Sequence, residues 1–218
     1  FASDGTSIPA RYAQAGKRSL VLDRSWSEDR ETLARLAASC DIVIDSFSPG
    51  SLADWGSDFD ALERRRPGAI LVSITPNGLT GQRADWPGSD LTDFALSGHG
   101  FVGGMAGREP LKGSGFVASY TAGVAAYSAA LAALYHRDRG GGGQQVDVAE
   151  ADALAATGGH GLLLAQYHGV RPMRSTPADA QRRHPRQAGG DRRCHLGGPT
   201  DTRPRRGQPP GRFARSPG

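Results

Sequence analysis

The chain has 218 residues, with 31 Gly, 14 Pro, 2 Cys and a formal net charge of +4. Two cysteines, Cys40 and Cys194, exclude a disulfide framework and point to a reducing cytoplasm. No run of about 18 apolar residues marks a membrane span, and no basic-then-apolar leader opens the sequence. The charge is divided unevenly: residues 171–218 carry 12 Arg against 3 Asp, or +9, which leaves residues 1–170 at −5.

In chain order, residues 19–23 are an apolar run ending in an acid and read as the first strand. Ser25-x-x-Glu28 resembles a capping box, and Leu33, Leu36 and Ala37 recur at helical spacing, so a helix should follow and end near Ser39. Residues 41–45 are a β-branched run and predict a buried strand, broken by Ser48-Pro49-Gly50. A short helix is expected over 58–65, stopping before Pro67, and a strand over 69–74. Runs apolar on both faces suit a parallel sheet covered on both sides. The alternation of strand and helix predicts an α/β doubly wound fold.

From Thr75 to Gly115 the sequence is loop-rich, with one helix expected at 90–96. Residues 118–137 form the clearest helix, rich in Ala, ended by Gly140–Gly143. Residues 145–148 read as a strand and 150–166 as one further apolar helix.

Several motifs fail on their context. Residues 98–103 spell G-x-G-x-x-G, but a helix is expected before them rather than the strand a dinucleotide site needs. Gly16-Lys17-Arg18-Ser19 lacks the first glycine of a P-loop, and Arg18 separates Lys17 from Ser19. His160 and His168 have no carboxylate at ligand spacing, so no metal site is expected. His99 reads as a loop residue, and Cys40 as a small buried hydrophobe between helix and strand.

Five ordered blocks carry a resemblance. They are Gly16-Lys17-Arg18-Ser19 with Leu22-Asp23; the stretch from Asp41 through Ser46-Phe47-Ser48-Pro49-Gly50; Val72-Ser73-Ile74 leading to Gly78-x-x-Gly81; Gly88-Ser89-Asp90-Leu91; and Arg139 through Gly143-Gln144-x-Val146-Asp147-Val148 with Glu150. Over roughly residues 10–170 the set resembles the class III CoA-transferase family of CaiB/BaiF type. That family includes formyl-CoA transferase, carnitine CoA-transferase and alpha-methylacyl-CoA racemase. The resemblance implies a Rossmann-like, mostly parallel sheet with helices on both faces. It also implies acyl-CoA and a small carboxylic acid as substrates, no permanently bound cofactor, and an interlocked homodimer. Residues 1–170 would then be a partial large domain, a middle piece of a longer enzyme.

The resemblance also assigns roles. Lys17 and Arg18 would pair with CoA phosphates. The turn Ser46, Phe47, Pro49 and Gly50 would lie against the CoA, at the carboxyl end of a parallel strand where such sheets bind ligands. The family's nucleophilic Asp, which forms a mixed anhydride and then an enzyme–CoA thioester, corresponds to Ser119. The racemase's His, Asp and Asp correspond to Ser89, Asp90 and Ser119, so only Asp90 keeps its type. A serine nucleophile needs a base, and none stands beside Ser119 in the sequence. Ser119 as a helix cap and the chain as a non-catalytic CoA-binding subunit are the alternatives.

The last 48 residues contain 8 Pro and 7 Gly, and only Leu196 and Phe213 among Leu, Ile, Val and Phe. They are expected to be disordered, because they bury too little apolar surface to offset chain entropy. Their composition is that of GC-rich DNA read out of frame, and patterned sequence stops near Val170. A genuine disordered tail and a basic nucleic-acid arm are the alternatives. With Phe213 as its single aromatic, the tail offers almost no stacking platform, and nucleic acid is not the expected partner.

Overall fold

The computed structural model describes residues 7–169 together with Met173 and Arg174. Apart from Met173 and Arg174, the expected tail, with Cys194, lies outside the described residues. At the centre is a parallel sheet of β1 (Ile42–Asp45), β2 (Ile70–Thr75) and β3 (Gln144–Ala149), in the order β1-β2-β3. Ile42 pairs with Ile70, and Ile70 with Gln144. The sequence reads this way because β2 has neighbours on both edges and both faces, so it can carry no polar alternation.

Alternate residues of β2 feed two cores. Ile70 and Val72 pack with Val148 against Ala122, Ala126, Ala130 and Ala133 of α7 (Val117–Asp138). Leu71, with Ala69 just before the strand, packs on the opposite face against Ala37 of α2 (Ser27–Ser39) and Leu62 of α4 (Phe59–Arg65). Helices therefore cover both faces, as the alternation predicts. The alanine stripe lets the α7 backbone approach the sheet closely. By length and composition α7 is also long and apolar enough to cross a membrane. Ser119, Thr121 and Ser128 interrupt its apolar run in the sequence. Its packed alanine face is what a core helix presents.

The remaining helices are short. α1 (Ile8–Ala13) precedes an exposed coil, and α3 (Ser51–Asp54) follows the turn after β1. α5 (Asp90–Leu96) and α6 (His99–Val102) precede α7, while α8 (Glu150–Thr157) and α9 (Gly159–His168) follow β3. Phe94 of α5, Ala118 of α7 and Leu154 of α8 form a third, smaller core. That core fixes the starts of these three helices relative to one another.

Four expectations are corrected. Residues 19–23 are coil, with Val21 93% exposed, because the run has no strand to pair with among the described residues. Ser25-x-x-Glu28 is not a capping box: α2 starts after Trp26, and the Ser25 hydroxyl donates instead to Asp23 Oδ1 at 2.7 Å. The capping box lies at Ser89 and Thr92, at the start of α5. The helix expected over 150–166 is two helices, α8 and α9, parted at Gly158. His99 is not a loop residue. It opens α6, faces the Phe94 ring at 5.8 Å, and its Nε2 lies 3.3 Å from the Thr157 hydroxyl of α8.

Candidate active site

All three strands run in one direction, so their carboxyl ends share one edge of the sheet. Residues 46–50 leave β1 there, Pro76 leaves β2, and Glu150 opens α8 directly after β3. The turn and Glu150 are two strand spacings apart, about 10 Å. The Ala151 N–H donates to the Pro76 carbonyl at 3.1 Å, which ties the start of α8 to the exit of β2.

Asp90, the first residue of α5, organises the acidic side of this edge. Its Oδ1 accepts the backbone N–H groups of Ala118 at 2.9 Å and Ser119 at 3.1 Å. Helix α7 starts after Phe116 with no side-chain cap of its own, so a carboxylate from another helix satisfies its free amides. The Asp90 Oδ2 forms an ion pair with Lys112 at 2.5 Å. Lys112 also donates to the carbonyl of Gly115 at 2.5 Å, folding the loop before α7 around the carboxylate. Burial works to raise the Asp90 pKa, but Lys112 and the two amides outweigh it and hold the group below the ordinary carboxylate value.

Ser119 is exposed, and its hydroxyl donates to Glu150 Oε2 at 3.0 Å. Beneath them Asp93 is 1% exposed. Burial pushes its carboxyl up to about 6, with the negative charge of Glu150 adding to the effect. Close packing holds this corner together. A Cβ on Gly88 would overlap the Pro76 ring and stand 3.1 Å from Asp93 Oδ1.

A second feature lies under the turn. Pro49 and Gly50 line a cleft of about 290 Å³ with Asp45, Phe59, Ser73 and Leu79. Asp45 Oδ1 accepts the Phe47 N–H at 2.9 Å, which fixes the turn, and Gly50 takes φ +81, which a side chain would oppose. The Phe47 side chain is about half exposed. Across the sheet, the Leu79 N–H donates to Asp147 Oδ2 at 2.9 Å and holds the loop after β2 against β3.

Comparison with known proteins decides the family. The family model described as CoA-transferase family III matches residues 1–189. The chain belongs to CoA-transferase family III. The matched span continues past Val170 into the Arg-rich stretch. Among curated members, the chain is 37% identical over 151 residues to the succinyl-CoA:(R)-benzylsuccinate CoA-transferase subunit BbsE of Thauera aromatica, covering 68% of this chain and 37% of that protein. It is 36% identical over 157 residues to the succinate–glutarate CoA-transferase of Agrobacterium fabrum, covering 71% and 39%. It therefore spans about two fifths of the length of these relatives. The crystal structure of a CAIB/BAIF family protein from Brucella suis superposes with a TM-score of 0.71 at 33% identity, covering 73% of this chain and 42% of that one.

Of the residues matched to the CoA-transferase pattern, the structure brings Asp90 and Ser119 into contact. Pro49 and Gly50 line the cleft; Ser46 and Phe47 lie beside it, exposed. Lys17 and Arg18 lie in the exposed coil after α1, without an ion pair among the described residues. Ser119 does not cap α7; its own amide is the one capped. The carboxylate beside Ser119 is Glu150, which sequence reasoning places only in a strand-to-helix block. They are 31 positions apart with a whole strand between them, and no spacing rule pairs the two.

Proposed function

We propose that the chain is the CoA-binding and reaction-centre portion of an acyl-CoA:carboxylate CoA-transferase. The observation that carries this reading is the convergence of Asp90, Ser119 and Glu150 at the carboxyl edge of the sheet, beside the 46–50 turn, in a chain of this family. The CoA lies along that edge. Phe47 contacts its adenine or pantetheine part, Gly50 admits close backbone approach, and Lys17 and Arg18 meet the phosphates. Asp90 works as a positioning residue, because both its oxygens are committed to holding the start of α7 and Lys112. The reading includes a homodimer in the cytoplasm. The exposed stripe Tyr120, Val124, Tyr127, Leu131 and Tyr135 along α7 supports assembly, since such apolar faces are normally covered.

Calorimetric titration of the 218-residue chain with CoA tests the binding half. Saturable binding is expected, weakened about tenfold by Phe47→Ala, a change of about 1.4 kcal/mol. A Lys17→Ala/Arg18→Ala double variant should weaken it further and flatten its salt dependence. Absence of binding, or equal affinity in every variant, contradicts the reading.

A second reading is a non-catalytic CoA-binding subunit of a two-subunit transferase. Ser119, standing where the family pattern has its nucleophilic Asp, favours it.

A further inference from the structure

Transfer of CoA to a free acid sets a chemical requirement. The acceptor carboxylate has no leaving group of its own and must first become an anhydride; a covalent route makes that anhydride by holding the CoA on an activated enzyme carbonyl. An enzyme carboxylate meets this: attack on a thioester gives a mixed anhydride, in which both carbonyls are open to the thiolate. A serine does not. Its alkoxide gives a simple ester, and a carboxylate attacking that ester would have to expel an alkoxide far more basic than itself. Ser119 can therefore form an acyl-ester that water hydrolyses, but it cannot carry the CoA.

Three carboxylates stand near Ser119, and two are unavailable. Asp90 has Oδ1 on two backbone amides and Oδ2 on Lys112. Asp93 is buried. Glu150 is half-buried, its Oε2 receives the Ser119 hydroxyl at 3.0 Å, and its Oε1 has no hydrogen bond among the described residues. It stands at the first position of α8, on the sheet edge where the CoA is placed.

We infer that Glu150 is the nucleophile of this site and that Ser119 is its positioning hydrogen-bond donor. The inference rests on the reading of the chain as a CoA-transferase. A Glu150 oxygen attacks the donor thioester carbonyl; the C–S bond breaks and CoA leaves as the thiolate, giving an acyl–Glu150 anhydride. The thiolate attacks the Glu150 carbonyl, and the donor acid leaves as its carboxylate. The acceptor carboxylate attacks the resulting Glu150–CoA thioester, and the thiolate is freed again. It then attacks the acceptor carbonyl of the second anhydride, which releases the new acyl-CoA and restores the Glu150 carboxylate. Each step exchanges one acyl bond, and no oxidant, reductant or water is consumed. The donor hydrogen bond from Ser119 orients the Glu150 carboxylate in the resting state.

The test traps the intermediate. The full chain is incubated with succinyl-CoA or acetyl-CoA, quenched with hydroxylamine, digested and mapped by mass spectrometry. A hydroxamate on the peptide carrying Glu150 is expected. Glu150→Gln, which still accepts the Ser119 hydrogen bond, should show none, and Glu150→Asp should restore part of it. Ser119→Ala should keep the adduct but form it about tenfold more slowly. An adduct on Ser119, an adduct that survives in Glu150→Gln, or bound CoA with no adduct anywhere overturns the assignment while leaving the CoA-binding reading intact. No calorimetric CoA binding by the wild-type chain overturns both.

Discussion

The Oδ1 of Asp90 accepts the backbone N–H of Ser119 at 3.1 Å, so the first residue of one helix caps the start of another. Two amides and Lys112 depend on this one carboxylate. Asp90→Ala leaves them unpaired in a mostly buried site and should cost about 2 kcal/mol by urea unfolding. Asp90→Asn keeps an acceptor for the amides and should cost less. Because the native pKa of Asp90 is depressed, its contribution is present above the unfolded value and fades as pH falls through the native one. The gap between wild type and Asp90→Ala should therefore narrow in acid.

Asp93 shows the opposite linkage. Its carboxyl titrates near 6 in the fold against an ordinary 3.8. The folded protein binds the extra proton between those values, so stability falls as pH rises through that window and stays reduced above it. Two units correspond to about 3 kcal/mol as an upper figure. Asp93→Asn removes the titration. It should be more stable than wild type at pH 8, by up to that amount, and no more stable at pH 4. Denaturation midpoints at the two pH values check this.

Gly88 is fixed by space, because a side chain there would overlap Pro76 and press on Asp93. Gly88→Ala should lower stability by about 1–3 kcal/mol through overpacking. Gly142→Ala meets nothing within 4 Å and is the matched control, expected to shift the melting temperature little. Thermal melts of the two variants side by side provide the comparison.

How much of this could be read beforehand depends on where each signal lies. β2 is legible because burial on both faces writes itself as an unbroken apolar run, and α7 because its sheet-facing side is a stripe of alanines. β1 forms where its apolar run predicts but is not the buried strand expected, since it lies at the sheet edge and Ile44 is 66% exposed. Residues 19–23 have the same local signature, yet no strand lies beside them among the described residues. Composition alone cannot say whether a ladder partner exists. Ser25 and Ser89 both precede a helix by pattern. Asp23 draws the Ser25 hydroxyl away, while Thr92 completes the box for Ser89. Asp90, Ser119 and Glu150 all stand in the family pattern. The pairing of Glu150 with Ser119 is not legible there, because it exists only once β3 returns the chain to the same edge of the sheet.

Carboxylate oxygens record whether CoA passes through an enzyme carboxylate. The 218-residue chain is supplied with succinyl-CoA and an acceptor acid labelled with ¹⁸O in its carboxylate, in unlabelled water. CoA transfer through an enzyme carboxylate predicts the acceptor's CoA thioester as product. It also predicts passage of acceptor ¹⁸O, through the enzyme, into the succinate released in later turnovers. Release of succinate with oxygen from water and no acceptor thioester, or no turnover at all, would exclude CoA transfer through an enzyme carboxylate in this chain.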